Sequence, residues 1–379
     1  MSAVRKVLVV GGGIGGLTAA VALRRAGIEV DVVEIKNDWS VYGVGIIQPN
    51  NTLRALDRVG LAKVCAERGA AFPGWRIFDE ANRFLMDAPA SSTAAPPYPA
   101  INGITRPILQ QILKQAAVDS GMRARLGTTV TDVQETDSAV RATCSDNTVA
   151  EYDLLIAADG IHSAHRTRLF GDAATPRFTG QCVWRYNFPR PPDVEWGEIY
   201  FGTGTKVGLV PMSPTLMYMF LVTAEPGNPR RNPEDLADMM RDRLGDYTGR
   251  VGGLREQITD AAAVVYKPME SVLLPAPWYK GRQIIIGDAA HATTPHLAQG
   301  AAMAIEDAVL LGALLGQDRT LESVLAEFVK RRFDRAKFVI DTSDQLANWE
   351  LEHWNGVVNP NANPGRLLHE ATVTLMQDY

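Results

Sequence analysis

The feature that most constrains the fold lies in the first 36 residues. Val7-Leu8-Val9-Val10 is a short, continuous, β-branched run closed by glycine. That is the pattern of a strand buried on both faces of a parallel sheet. It runs into Gly11-Gly12-Gly13-Ile14-Gly15-Gly16, which matches G-x-G-x-x-G at Gly11, Gly13 and Gly16. A stretch of helix formers, Leu17 to Ala26, follows and stops at Gly27, and Ile28 to Glu34 then alternates and ends on an acid.

Each glycine has a physical task in such a unit. Gly11 permits the tight turn out of the strand, Gly13 lets backbone approach a pyrophosphate, and Gly16 lets the helix pack close to the sheet. The helix N-terminus offers free N–H groups and a partial positive charge to phosphate. Glu34, 18 residues beyond Gly16, is placed to accept hydrogen bonds from ribose hydroxyls. Strand, turn, helix and acid together mark a dinucleotide site. The motif alone does not separate NAD from FAD.

Two later segments add to it. Asp153 to Ala157 is a strand that breaks at Asp159-Gly160 and enters a helix through Ser163 and Arg166. Gly281 to Ile286 is another buried strand, ending in Gly287-Asp288. It continues through Pro295-His296-Leu297-Ala298-Gln299-Gly300 into an alanine-rich helix that starts at Ala301 and carries Glu306-Asp307. An Asp at a strand end can accept from ribitol hydroxyls, and the amides at a helix start can stabilise negative charge on a reduced flavin ring. Two local alternatives stay open: Asp159 capping the helix that follows it, and Arg166 pairing nearby.

These three ordered motifs resemble the fingerprints of the class A FAD-dependent aromatic hydroxylases, whose best-known fold is that of para-hydroxybenzoate hydroxylase. The resemblance runs from Val7 to about Leu315 and takes in salicylate, 6-hydroxynicotinate and urate hydroxylase-like members. It implies an α/β fold: a Rossmann-like FAD-binding domain, an inserted antiparallel β-sheet substrate domain and a C-terminal helical region. The FAD-binding domain is expected to be discontinuous, over 1–75, 101–180 and 270–320, with the substrate domain over 76–100 and 181–269 and the helical region over 321–379. The resemblance implies FAD as cofactor, NADH or NADPH as electron donor, and O2. One oxygen atom would pass from a flavin C4a-hydroperoxide to a small, electron-rich aromatic or N-heteroaromatic ring. Asp159 and Gly160 would serve where FAD and NAD(P)H are both handled, and Gly287 and Asp288 the ribitol and pyrophosphate. Arg106, opening an amphipathic helix, would contact FAD phosphate or ribose. Gly45, with Gly43, would let backbone lie beside the ring. Ile14, Gly15, Lys36, Val130, Pro295, Gly300 and Ala301 complete the expected cofactor contacts.

The chain departs from the family pattern at the flavin helix, where Ala298-Gln299-Gly300-Ala301-Ala302 replaces Gly-Gln-Gly-x-Asn. The side-chain contact of that Asn is lost, while the backbone amides remain. His296 stands where urate-hydroxylase-like members carry an acid, which argues against urate. The run Pro-His-x-Ala-Gln-Gly is similar to hydroxylases of hydroxylated pyridine carboxylates.

Between Gly180 and Tyr266 the period changes to that of antiparallel strands punctuated by Gly202, Gly204, Pro211 and Pro214. Trp184, Tyr186, Phe201 and Tyr218 are candidate aromatic walls, each with ordinary core packing as the plainer reading. Tyr218 and His296 are the candidate catalytic bases; Lys206, Arg185 and Tyr186 are the candidate substrate contacts, with Lys206, Arg185 and His296 as candidates for an anion. The segment Ala88 to Pro99 reads as a loop, Pro233 to Leu244 as a helix, Leu321 to Trp349 as an amphipathic helix or pair, and the last residues as a short terminal helix.

Composition excludes other classes. A net charge of −5 with no long basic run offers nothing to nucleic acid. No apolar run reaches the ~18–20 residues that span a bilayer, and no signal peptide is evident, so a cytoplasmic protein is expected. Cys65, Cys144 and Cys182 form no pair with metal-ligand or redox spacing. That, with no second G-x-G-x-x-G, excludes a disulfide reductase, and no Trp-x-Trp-x-Ile run of a halogenase is present. The rival readings are an FAD-dependent oxidase or oxidoreductase on a non-aromatic substrate and a non-catalytic flavin-binding protein. A monomer or homodimer is expected.

Overall fold

A computed structural model describes residues 4–41, 43–90 and 98–379. Most of the expected loop Ala88 to Pro99 therefore lies outside the described residues.

The continuous apolar runs form a six-stranded sheet in the order Tyr279–Lys280, Gln283–Ile285, Leu154–Ala157, Lys6–Val10, Glu29–Glu34 and Arg123–Leu126. All neighbours are parallel except the short edge strand Tyr279–Lys280. Val7, Leu8, Val9, Leu154, Leu155 and Ile156 are buried because helices cover the sheet. The helix Ile14–Arg25 packs against both Gly300–Leu315 and Arg106–Asp119. Parallel order brings the three glycine-bearing strand ends, at Val10, Ala157 and Ile285, to one edge of the sheet. Ligands bind there in open α/β sheets.

The alternating segments form a seven-stranded sheet in the order Val265–Ser271, Arg177–Pro189, Leu216–Ala224, Thr205–Pro211, Gly197–Gly202, Gly74–Asp79 and Phe84–Pro89. One parallel pair, Gly197–Gly202 with Gly74–Asp79, joins strands from distant parts of the chain. Because side chains alternate, one face carries Trp184, Phe188, Met217, Met219 and Leu221 into a core shared with Met240, Leu244 and Val251 of two short helices. The other face carries Arg185, Lys206, Tyr218 and Phe220. A small sheet of Gly45–Pro49, Ile101–Thr105 and Ala70–Phe72 lies between the two large ones in the chain's path.

The tail begins with one 34-residue helix, Leu321–Trp354, started by Thr320, whose hydroxyl accepts from Ser323 N at 3.3 Å. It is a single helix rather than a pair. The expected helix from Pro233 is a 3-10 turn, Pro233–Asp235, followed by the helix Leu236–Arg243, since proline suits a first turn. The terminal helix Pro364–Met376 packs on the body: Arg335 donates to Leu375 O at 2.8 Å and Arg54 to Met376 O at 2.6 Å. Among the described residues no helix is long and apolar enough to cross a membrane.

Candidate functional site

Gly11 has φ +104° and leaves the first strand by donating to Val33 O at 2.8 Å. A Cβ on Gly16 would lie 1.9 Å from Gly11 O, so only glycine lets the helix start sit this close to the turn. A Cβ on Gly13 would meet nothing within 4 Å, because Gly13 faces an open groove. The helix that begins with Ile14 and Gly15 has neither a capping side chain nor an acid in its first turn. Its leading N–H groups are thus left for an anion. Glu34 is fixed at the mouth of this groove, accepting from Gly12 N at 2.7 Å and Lys36 N at 2.9 Å. The Lys36 ammonium turns away to Ser40 O at 2.8 Å. Val130 is buried, its carbonyl 3.5 Å from the Arg168 guanidinium.

At the second strand end, Gly160 turns with φ +82°. Ser163 caps the following helix, accepting from Arg166 N at 2.9 Å. Asp159 supports that cap: it accepts from Ser163 Oγ at 2.5 Å and lies 3.1 Å from His165 Nδ1. Burial works against its charge, but the bonds from His165 and Ser163 prevail and hold the carboxyl below its usual range. Arg166 is buried and donates to three carbonyls, Ile161, Ala174 and Ala289, at 2.7, 2.9 and 2.8 Å. It ties the Asp-Gly turn to the Gly-Asp segment.

At the third end, Gly287 turns with φ +61° and donates to Asp307 at 2.9 Å. Asp288 is reached by solvent in the groove, yet surrounding protein raises its carboxyl pKa against the pull of His291 and Arg106. Pro295 opens a single turn, Ala298 is left-handed at φ +54°, and the next helix starts at Gly300 with no capping side chain and no acid in its first turn. The Gly300 and Ala301 end of that helix therefore points unclaimed amides outward. Asn51 and Gln299, buried and paired through both amides at 2.9 and 3.1 Å, brace this segment from behind. Asn51 also donates to Glu306 at 2.9 Å. Arg106 begins its helix after the Thr105 cap, and among the described residues its guanidinium has no hydrogen-bond or ion-pair partner.

The substrate face is built by the seven-stranded sheet. Asn187 pairs with Tyr218, Arg185 with Phe220, and Lys206 with Val222, so Arg185, Tyr218 and Lys206 share one face. Tyr218 packs against Gly45, where a Cβ would be 2.2 Å from its ring. Asn187 closes the same corner by donating to Gly43 O at 2.8 Å. Burial raises the Tyr218 phenol, with Arg185 and then Arg106 pulling the other way. Burial pushes Arg185 down to about 10, so it stays a cation at neutral pH beside that phenol. Tyr186, one residue on, projects from the opposite face and packs with Phe188 at 5.1 Å between ring centroids. The pleat thus separates it from Arg185 and Tyr218. Trp184 belongs to that same far core, and Phe201 is 48% exposed.

Lys206 and His296 meet through a residue with no sequence motif, Glu350 of the long C-terminal helix. Lys206 pairs with Glu350 Oε1, while His296 Nε2 lies 3.0 Å from Oε2 and Gln181 donates to Oε2 at 3.1 Å. His296 Nδ1 is 2.9 Å from the Thr294 hydroxyl. Burial opposes the Glu350 charge, but Lys206 and His296 drive its carboxyl down to about 2. Burial first, and Lys206 second, lower the His296 pKa, so the imidazole is neutral at physiological pH.

The open groove above Gly13, two uncapped helix starts and the unpaired Arg106 guanidinium fit the pyrophosphate and ring of FAD. FAD held there would supply the redox chemistry that links NAD(P)H to O2. A family model described as FAD binding domain matches residues 5–343. YetM of Bacillus subtilis, assigned as an FAD-dependent monooxygenase, is 32% identical over 92% of this chain and 94% of its own. The 2-heptyl-3-hydroxy-4(1H)-quinolone synthase of Pseudomonas aeruginosa is 32% identical over 91% of this chain and 90% of its own. Klebsiella pneumoniae HpxO, solved with FAD and uric acid, superposes with a TM-score of 0.85 at 24% identity, covering 98% of this chain and 97% of that one. The chain belongs to the FAD-binding domain family and is an FAD-dependent monooxygenase that uses NAD(P)H and O2.

Proposed function

We propose that this enzyme hydroxylates a small, electron-rich aromatic or N-heteroaromatic ring held between the flavin groove and the Arg185–Tyr218 face of the sheet. The observation that carries this reading is the Arg185 guanidinium beside a buried phenol that packs against the Gly45 backbone, with no acid paired to that guanidinium among the described residues. Tyr218 holds the ring oxygen by a hydrogen bond, and Arg185 stabilises the negative charge that grows on that oxygen as the ring becomes nucleophilic. The close fit of Tyr218, Met212 and Gly45 keeps water from this corner. His296, the other candidate base, is neutral and has both ring nitrogens engaged, by Thr294 and Glu350.

The cofactor is held by Gly11, Gly13, Ile14, Gly15, Gly16, Glu34, Arg106, Asp159, Gly160, Gly287, Asp288, Pro295, Gly300 and Ala301, with Gly45, Lys36 and Val130 beside them. These belong to a discontinuous FAD unit, 1–75, 101–180 and 270–320, with the substrate unit over 76–100 and 181–269 and a helical tail from 321. Three buried, unpaired cysteines support a reducing compartment, the cytoplasm. The working form is a monomer or homodimer.

The test is to load the protein with FAD and follow NADH and NADPH oxidation with phenols, hydroxypyridines and hydroxyquinolines, checking products by mass. Ring-stimulated coenzyme oxidation with gain of one oxygen atom is the expected result. FAD-loaded protein that oxidises coenzyme without converting any ring compound overturns the aromatic assignment.

A further inference from the structure

The far end of the cleft carries a charge arrangement that bears on what the enzyme accepts, given the reading above. Lys206 lies on the same sheet face as Tyr218; its cross-strand partner Val222 is four residues along that strand. At ~3.3 Å per residue this places the Lys206 backbone about 13 Å from Tyr218. A ring anchored by its oxygen at Tyr218 would direct its opposite substituent this way. An unpaired lysine at that position would welcome a carboxylate. Here it is paired. Glu350 reaches across from the C-terminal helix, takes Lys206 on one oxygen and His296 and Gln181 on the other. The side chains of Lys206 and Glu350 are still 14% and 19% exposed, so the pair is not sealed from solvent. His296 adds no positive charge, being neutral, and both of its ring nitrogens are engaged. The nearby side chains on this face, Phe220, Val222, Val183 and Met269, are apolar. A carboxylate arriving here meets a neutralised lysine and the negative end of Glu350, and it would have to shed water with no cation in return.

We infer that Glu350 determines substrate specificity: by occupying Lys206 it closes this end of the cleft to rings that bear a carboxylate and reserves it for an uncharged substituent. A hydroxylated or oxo-substituted ring with an amide, alkyl or fused-ring portion at the far side fits, whereas a hydroxyaryl carboxylate does not. The resemblance of the Pro-His-x-Ala-Gln-Gly run to hydroxylases of pyridine carboxylates points the other way. The acid that decides the matter comes from a helix outside that run.

The experiment uses FAD-loaded protein and matched probes of two lengths, 4-hydroxybenzoate and 4-hydroxycinnamate with their amides, titrated by the change in flavin absorbance. The natural protein is expected to bind each amide more tightly than its acid. Glu350→Gln keeps the side-chain size and frees the Lys206 ammonium. It should raise affinity for at least one acid by about tenfold or more, and for the amides by less than about twofold. The gain should vanish in Lys206→Met/Glu350→Gln. An unchanged or undetectable affinity of Glu350→Gln for both acids overturns the inference, as does a gain that survives the double substitution. If Glu350→Gln does not fold, Lys206→Met carries the test, because it bares Glu350 and should improve binding of cationic 4-hydroxybenzylamine by about tenfold; no improvement overturns the inference. Protein that takes up no FAD brings down the functional reading itself, whereas normal FAD loading with no charge effect removes only the role of Glu350.

Discussion

Two networks of buried charge use similar side chains to opposite ends. Beneath the flavin helix, Arg332, Glu306 and Asp307 are fully buried and hold one another at 2.6 and 2.7 Å. Asp307 also lies 2.6 Å from His291 and accepts from Gly287, while Glu306 takes Arg335 and Asn51. Burial opposes both carboxylates, yet their cationic neighbours keep them below the usual range. The aromatic ring of Tyr379 covers Arg332 at 5.2 Å. In the second network, Lys206 and Glu350 stay partly exposed, with His296 buried behind them. A closed network can only hold elements in place. An open one also presents its charge, or lack of it, to a ligand.

The sharpest way to break this contrast is Arg332→Met. It would take from two buried carboxylates the cation they share and is expected to cost about 3–5 kcal/mol in equilibrium urea unfolding. A loss under ~1 kcal/mol would mean that the closed network is no scaffold. Tyr218→Phe keeps the ring against Gly45 and removes the hydroxyl; turnover on the preferred ring should fall about 100-fold while FAD binding is kept, as read by rapid-mixing kinetics and flavin titration. Unaltered turnover would move the chemistry away from the Arg185 end of the cleft.

A smaller effect separates the open network by pH. The Glu350 carboxyl is depressed from 4.5 to about 2, so its contribution to stability is fully present above about 4.5 and is lost as pH falls through that window toward 2. Glu350→Gln should lower stability by about 1–2 kcal/mol at pH 7 and narrow the gap from the natural protein in denaturation curves taken at pH 3. A gap that does not change with pH would show that the pair contributes through shape alone. Smallest of all, Gly13→Ala should leave the melting temperature of the FAD-free protein within about 1 °C, since the added Cβ meets nothing beyond its chain neighbours within 4 Å, yet weaken FAD binding by about tenfold. Equal FAD affinity would place the pyrophosphate away from Gly13.

The cofactor groove was legible in the sequence because its determinants are local. Strand, glycines, uncapped helix and Glu34 lie within one continuous unit, and the same holds for the turns at Gly160 and Gly287. The cleft was only partly legible. Alternation identifies the strands, but Arg185 and Tyr186 are neighbours, and only the pairing of the sheet decides which of them faces the flavin side. Lys206 and His296 were visible as polar candidates, while their shared pairing with one acid was not. The acid responsible sits 144 residues from Lys206, in a helix whose sequence reads as an ordinary amphipathic surface. Asn51 escaped notice for the same reason, and Arg332, which the helix pattern assigns to a solvated polar face, is instead fully buried, since nothing near either in the chain signals a partner.

The order of strands in the central sheet also governs how the molecule can be made. Leu154–Ala157 lies between Lys6–Val10 and Gln283–Ile285, and the other large sheet joins Gly74–Asp79 to Gly197–Gly202. During synthesis the first strand leaves the ribosome long before its sheet can be completed. Its apolar faces must then be shielded while most of the chain is translated. Cutting the coding sequence near its middle would give two polypeptides, neither of which holds either of the two large sheets whole, so flavin binding should be recovered only when both are produced together.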